Sequence, residues 1–118
     1  MRAKDVLGRN GEQAAADYLE TEGFRILARN WRCADGEIDI VAVDRLTFVV
    51  CEVKTRSSNR YGTPLESVSR PKRSRLRRLA LRWLAAYGVH FDEVRVDVVG
   101  VTREPAGGFT IEHVRGVG

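Results

Sequence analysis

The chain has 118 residues, a length suited to one domain (residues 1–118), and 43% of them are hydrophobic, enough for a core without disulfides or structural metals. Lys and Arg number 20 against 16 Asp and Glu, for a formal net charge of +4. Apolar runs are only a few residues long where a membrane helix needs about 20, and the charged start Met1-Arg2-Ala3-Lys4-Asp5 leads into no apolar signal segment, so a cytoplasmic protein with no membrane partner is expected.

From about Gly8 to Glu22 the spacing predicts a helix, with Ala15, Ala16 and Leu19 on one stripe and Gly23 as its stop. Glu12 falls on that inner stripe, where a carboxylate needs an explanation. Phe24 to Trp31 reads as a first strand, and Arg32 to Gly36 as a turn. Glu37 to Val43 and Phe48 to Lys54 then form a hairpin around Asp44-Arg45-Leu46-Thr47. A polar loop, Thr55 to Thr63, precedes the main helix. In that helix Pro71 fits the first turn, while Leu76, Leu79, Ala80, Trp83, Leu84 and Tyr87 make the apolar stripe, and Gly88 ends it. A fourth strand alternates Val94, Val96 and Val98 with Arg95 and Asp97, which marks Asp97 as a buried partner for an arginine. Phe109 to Val114 is the fifth strand. The order αβββαββ, with strands on both sides of the long helix, predicts an α/β fold: a mixed five-stranded sheet flanked by helices, with a right-handed crossover.

Strict alternation places Glu37, Asp39, Val41 and Val43 on one face of the second strand. If Val43 pairs with Phe48, Asp39 lies opposite Glu52 and Glu37 opposite Lys54. A two-residue shift makes Asp39 and Glu52 diagonal neighbours instead. Either register gathers the acids and the lysine on one side. Neighbouring carboxylates repel unless a cation lies between them, and oxygen ligands suit a hard ion, Mg²⁺ or Mn²⁺, that keeps waters for a phosphate substrate. Lys54 then points into the same place, where an ammonium can hold a water and offset charge developing on phosphorus. Cys33, Cys51, His90 and His113 show no zinc-type spacing.

The cations are mostly guanidinium. Seventeen of the 20 are Arg, and seven of the 20 fall between Arg70 and Arg82 with no acid among them. Guanidinium grips phosphate bidentately, although such a run is by itself often only a solvated helix face. Arg75, Arg78 and Arg82 share the face opposite the apolar stripe.

Asp39 followed by Glu52-Val53-Lys54 on the next strand resembles the D...(D/E)-x-K signature of the PD-(D/E)xK nuclease superfamily. Gly11-Glu12, Asn30-Trp31-Arg32, Gly36-Glu37-Ile38-Asp39, Glu52-Val53-Lys54-Thr55-Arg56 and Gly62-Thr63-Pro64-Leu65-Glu66, in that order, resemble more specifically the YraN-like family of small bacterial endonuclease-like proteins, related to archaeal Holliday-junction resolvases. The resemblance runs from about Gly8 to Val99. It implies a restriction-endonuclease-like core in which Asp39 and Glu52 bind the metal, the Val53 carbonyl completes the shell and Lys54 positions the water. It also makes Glu12 similar to an acid that resolvases present from their first helix. Glu37, on the face of Asp39, reads equally as a supporting acid behind the ligands and as an exposed strand residue. Ile38 replaces the superfamily's proline, which carries no ligand atom.

The expectation is therefore a Mg²⁺- or Mn²⁺-dependent endonuclease acting on DNA, branched or single-stranded by analogy with resolvases. Arg56, Arg60, Lys72, Arg75 and Arg78 would hold backbone phosphates by charge rather than read bases. A homodimer would suit a cut in both strands. The competing readings are a non-catalytic nucleic-acid-binding module on a nuclease-like scaffold, and an interaction protein whose arginines dock an acidic partner.

Overall fold

The computed structural model describes residues 2–58 and 62–117. Its elements follow the expected order: α1 (Ala3–Thr21), β1 (Arg25–Cys33), β2 (Gly36–Asp44), β3 (Thr47–Arg56), a short 3-10 turn (Leu65–Ser67), α2 (Arg70–Tyr87), β4 (Glu93–Arg103) and β5 (Phe109–Val114). The strands form one five-stranded sheet in the order β1-β2-β3-β4-β5. Only the β3–β4 pair is parallel, with α2 as its crossover, so the sheet is mixed as predicted. No helix among the described residues is long and apolar enough to cross a membrane.

Alternation sorts the central strands between two half-cores. Phe48, Val50, Val96 and Val98 point to α2, where they meet Leu76, Leu79, Ala80 and Trp83. Val49, Cys51, Val99 and Val101 point to α1 and meet Ala15, Ala16 and Leu19. Each fully buried Leu or Val in these layers contributes about 1.5–3 kcal/mol relative to exposure. A sheet covered on both faces explains why β3 and β4 read as nearly continuous apolar runs.

Local chemistry sets the helix ends. The Ser69 side chain accepts the Lys72 N–H at 3.3 Å to cap α2, Pro71 sits in the first turn, and Gly88 ends the helix in the left-handed region at φ 63°. Helix α1 begins at Ala3, earlier than expected, because Gly8 lies inside it and no side chain caps the true start at Arg2. Two glycines permit close approaches. A Cβ on Gly11 would overlap Thr55 at the end of β3, and one on Gly100 in β4 would overlap the Pro64 ring. These contacts seat the middle of α1 and the segment before α2 around the C-terminal end of β3.

The β2–β3 hairpin takes the register with Val43 opposite Phe48, and Asp44 pairs with Thr47 beyond it. The predicted alternation in β2 does not persist along its whole length. Ile40 and Ala42 share the α1 side, but Ile38, which strict alternation puts with them, joins the α2-side core with Val41. The phase changes where Asn30 of β1 adopts φ 53°, and the β1–β2 ladder runs through Arg29↔Ile40 and Trp31↔Ile38 with Asn30 and Asp39 omitted between them.

Candidate active site

The β2–β3 ladder stops at Ile40↔Cys51, one step short of Asp39 and Glu52. Beyond it the backbone amide of Val53 has lost its β2 partner, and the Asp39 carboxylate takes its place, accepting the Val53 N–H at Oδ2 over 2.8 Å. Peeling of β2 from β3 thus opens a notch in which a side chain of one strand caps the other. Glu52, buried, is close enough to Asp39 for its charge to act on it.

Burial, above all, and then the Glu52 charge push the Asp39 carboxyl up to about 7, against the opposing pull of the Val53 N–H. Glu12 adds a smaller raising effect through its charge. Two ammonium groups meet the pair: Lys54 Nζ lies 3.5 Å from Glu52 Oε2, and Lys72 Nζ pairs with the same oxygen. Burial acts to lower the Lys72 ammonium's pKa, but its hydrogen bond to Glu52 and the charges of Glu52 and Asp39 leave it raised overall.

Asp39, Glu52 and Lys72 line a depression of about 240 Å³, completed by Glu37, Arg75, Leu76 and Leu79. It adjoins a larger groove of about 410 Å³ lined by Asp35, Arg75, Arg78, Leu79 and Arg82, with Arg75 and Leu79 common to both. Asp35, in the β1–β2 turn, pairs with Arg82 across this groove. The expected arginine face of α2 therefore forms one wall of a channel leading from the acids.

Other predicted residues fall at the periphery. Glu37 borders the depression and lies 3.3 Å from Arg32 Nε. Glu12 is turned to β1, where its Oε1 accepts from Arg29 Nε and Nη2 at 3.2 Å and from Asn30 Nδ2 at 3.0 Å. Arg56 donates through Nη1 to the Gly62 carbonyl, while its Nη2 is buried with no hydrogen-bond partner among the described residues. Arg60 lies outside the described residues.

Lys72 is the residue whose position the sequence reading did not anticipate. Grouped there with the phosphate-binding cations, it stands in the structure on the acid pair. Helical phase carries the signal: Lys72 precedes Leu76 and Leu79 by four and seven residues, so it lies on the buried stripe of α2. Arg29 and Asn30, which hold Glu12, were also not singled out as partners. The left-handed Asn30 that makes this contact leaves no sequence pattern beyond an Asn tolerant of that conformation.

The donor set can be tested against a metal. Among the described residues no group of three or more His, Cys, Asp and Glu side chains converges, which disfavours a cage of protein ligands of the zinc type. Two adjoining carboxylates, one driven towards protonation by burial and then by the charge of the other, fit a hard divalent ion that takes one or two carboxylates and keeps water in its remaining positions.

Comparison with known proteins places the chain among many close relatives. It is 57% identical to a UPF0102 protein of Beutenbergia cavernae over 100% of both chains, and 54% identical to one from Arthrobacter sp., again over 100% of both. A UPF0102 protein of Frankia alni is 52% identical over 98% of this chain and 97% of its own. Among solved structures, Pyrococcus furiosus SfsA in complex with Ca²⁺ aligns with 98% of this chain at 17% identity and a TM-score of 0.38, and the chain spans 65% of that protein's length. The profile of Uncharacterised protein family UPF0102 matches residues 11–101. With that match and these relatives, the chain belongs to family UPF0102, the YraN-like family whose sequence blocks it carries.

Proposed function

We propose that the chain is a single nuclease-like domain that hydrolyses phosphodiester bonds in DNA with the help of Mg²⁺ or Mn²⁺. The observation that carries this reading is the Asp39–Glu52 pair, held together at the peeled edge of β2 and β3 and opening into the arginine-walled groove of α2. Asp39 and Glu52, with the main-chain carbonyl of Val53, would hold the ion. When bound, it supplies Lewis-acid polarisation of a phosphate oxygen. Lys54, anchored by Glu52, orients the attacking water and offsets negative charge developing on phosphorus. Val53 N–H fixes the Asp39 carboxylate so that it need not reorganise during the reaction. Arg75, Arg78 and Arg56 hold flanking backbone phosphates, which gives binding by charge with little sequence preference.

A second reading has its own supporting observation. Lys54 and Lys72 together balance the charge of Asp39 and Glu52 without any ion, so the same scaffold could bind nucleic acid and cut nothing. The purified protein should be incubated with labelled single-stranded, duplex, flap and four-way-junction DNA in Mg²⁺, Mn²⁺ or EDTA, beside folded Asp39→Ala and Lys54→Ala variants. Metal-dependent cleavage that both substitutions abolish supports the nuclease. Equal, salt-sensitive DNA binding by all three proteins with no cleavage of any substrate supports the binding module.

A further inference from the structure

Lys72 reaches the acid pair from a different element than Lys54, and the two ammonium groups converge on one oxygen, Oε2 of Glu52. A divalent ion bound through that oxygen cannot coexist with both, because the ion and the ammonium would compete for the same lone pairs at contact distance. Lys54 is fixed on β3 two residues from Glu52. Lys72 sits in the first turn of α2 with its side chain 37% exposed, and Arg75, an exposed cation three residues on, borders both the acid depression and the arginine groove. Lys72 is therefore the ammonium with somewhere to go: along α2, towards a phosphate lying in the groove.

Resting on the metal-dependent reading above, we propose that Lys72 is a resident counter-ion that competes with the divalent metal for Glu52 and is drawn off by a DNA phosphate, so that metal and DNA bind cooperatively. Without substrate, the lysine keeps the acids neutralised and the ion weakly held. A backbone phosphate beside Arg75 gives the ammonium a new partner and frees Glu52. By linkage the effect is reciprocal, so DNA tightens metal binding by the same factor that metal tightens DNA binding. Lys72 is a positioning residue in this scheme, since it acts through Glu52.

The test is calorimetric titration of the intact chain with Mn²⁺ alone, and again with an ordinary phosphodiester hairpin bearing a single-stranded arm, corrected for Mn²⁺ binding to the hairpin alone and with the hairpin shown intact on a gel afterwards. Lys72→Gln should bind Mn²⁺ at least about fivefold more tightly than wild type without DNA, the low end of ordinary coupling factors. The hairpin should tighten Mn²⁺ binding to wild type by a similar factor and leave Lys72→Gln unchanged. Lys72→Arg, which keeps the cation, should behave as wild type. General loss of structure could only weaken metal binding, so the direction of the change separates competition from misfolding. Equal Mn²⁺ affinities for wild type and Lys72→Gln, with binding still dependent on Asp39, would overturn the competition while leaving the metal site standing. A tighter Lys72→Gln with no effect of the hairpin on wild type would overturn the cooperativity. Absence of Mn²⁺ binding, or binding that survives Asp39→Ala, would remove the metal site and this proposal with it.

Discussion

The Asp39 carboxylate accepts the amide N–H of Val53, the residue between Glu52 and Lys54, at 2.8 Å. One hydrogen bond thereby ties the acid of β2 to the middle of the E-x-K segment of β3, and ordinary strand pairing could not have done so, because the ladder ends at Ile40↔Cys51.

That arrangement makes stability depend on pH in a definite direction. The folded state raises Asp39 from 3.8 to about 7, so it holds the proton more tightly than the unfolded chain does. The associated stability is fully present below about pH 3.8 and is lost as pH rises through about 7. Urea denaturation of the EDTA-treated protein should show this decline between pH 5 and 8, and Asp39→Asn should flatten it. Saturating Mn²⁺ should restore more stability at pH 8 than at pH 5.5. An unchanged pH profile in Asp39→Asn would show that this carboxyl does not carry the effect.

Asp97 works in the opposite sense. It is fully buried, and its Oδ1 accepts from Arg95 Nε at 2.8 Å and from the Gly116 N–H at 3.1 Å, while Oδ2 meets His113 Nε2 at 2.8 Å. Burial works against its ionisation, but the hydrogen bonds from His113, Arg95 and Gly116 and the Arg95 charge outweigh it, leaving the carboxyl below 3.8. Its stability contribution is present above pH 3.8 and disappears as the pH falls through the lower folded value. Asp97→Ala leaves Arg95 with Asp44 as its remaining carboxylate and His113 Nε2 without its buried partner, and should cost about 3–5 kcal/mol in equilibrium unfolding at pH 7. A loss under about 1 kcal/mol would mean that the network relaxes around the gap, as weak exposed pairs do.

Gly11 is where α1 touches the end of β3. Gly11→Ala places a methyl group against Oγ1 and Cγ2 of Thr55, and overpacking of this kind costs about 1–3 kcal/mol. Combining it with Thr55→Ala should recover part of the loss. Strictly additive losses in the double variant would argue that the two residues do not press on one another.

Arg75 and Arg78 line the groove beside the acids, so each replacement by Ala should weaken DNA binding about equally across unrelated sequences. Fluorescence anisotropy over a salt series should show the slope of log K against log salt falling by about 0.7–0.9 per lost phosphate contact. A sequence-dependent loss with an unchanged slope would instead place these side chains on bases.

Much of this architecture was legible in the chain. Phe48-Val49-Val50-Cys51 and the alternation at Val94, Val96 and Val98 determine which side chains face which helix, and the observed Val43↔Phe48 register is one of the two that the hairpin spacing left open. Asp97 also took the arginine partner that its place among valines required. Period-2 reasoning failed at Ile38, because the left-handed Asn30 shifts the phase of β1 and β2, and one residue's backbone torsion leaves no repeating pattern to read. It also said nothing of His113, whose side chain is buried between Asp97 and Tyr18 across separate elements. The Lys72–Glu52 contact was not anticipated for a different reason. Its neighbours suggested an arginine-rich surface, whereas its helical phase put it with Leu76 and Leu79.

The parallel pairing of β3 with β4 has a kinetic consequence. Residues 57–92, which include α2, must close as one long loop before Glu52 can sit beside Val98 and Lys54 beside Gly100. Hairpins such as β2–β3 can zip from a two-residue turn, but this contact bears a loop-closure entropy before any pairing rewards it. Lys72 and the arginine groove therefore join the acids and Lys54 of the β2–β3 hairpin only after this long loop has closed. A nascent or partly folded chain would display the sticky hairpin without the assembled site, so chemical competence and complete folding arrive together.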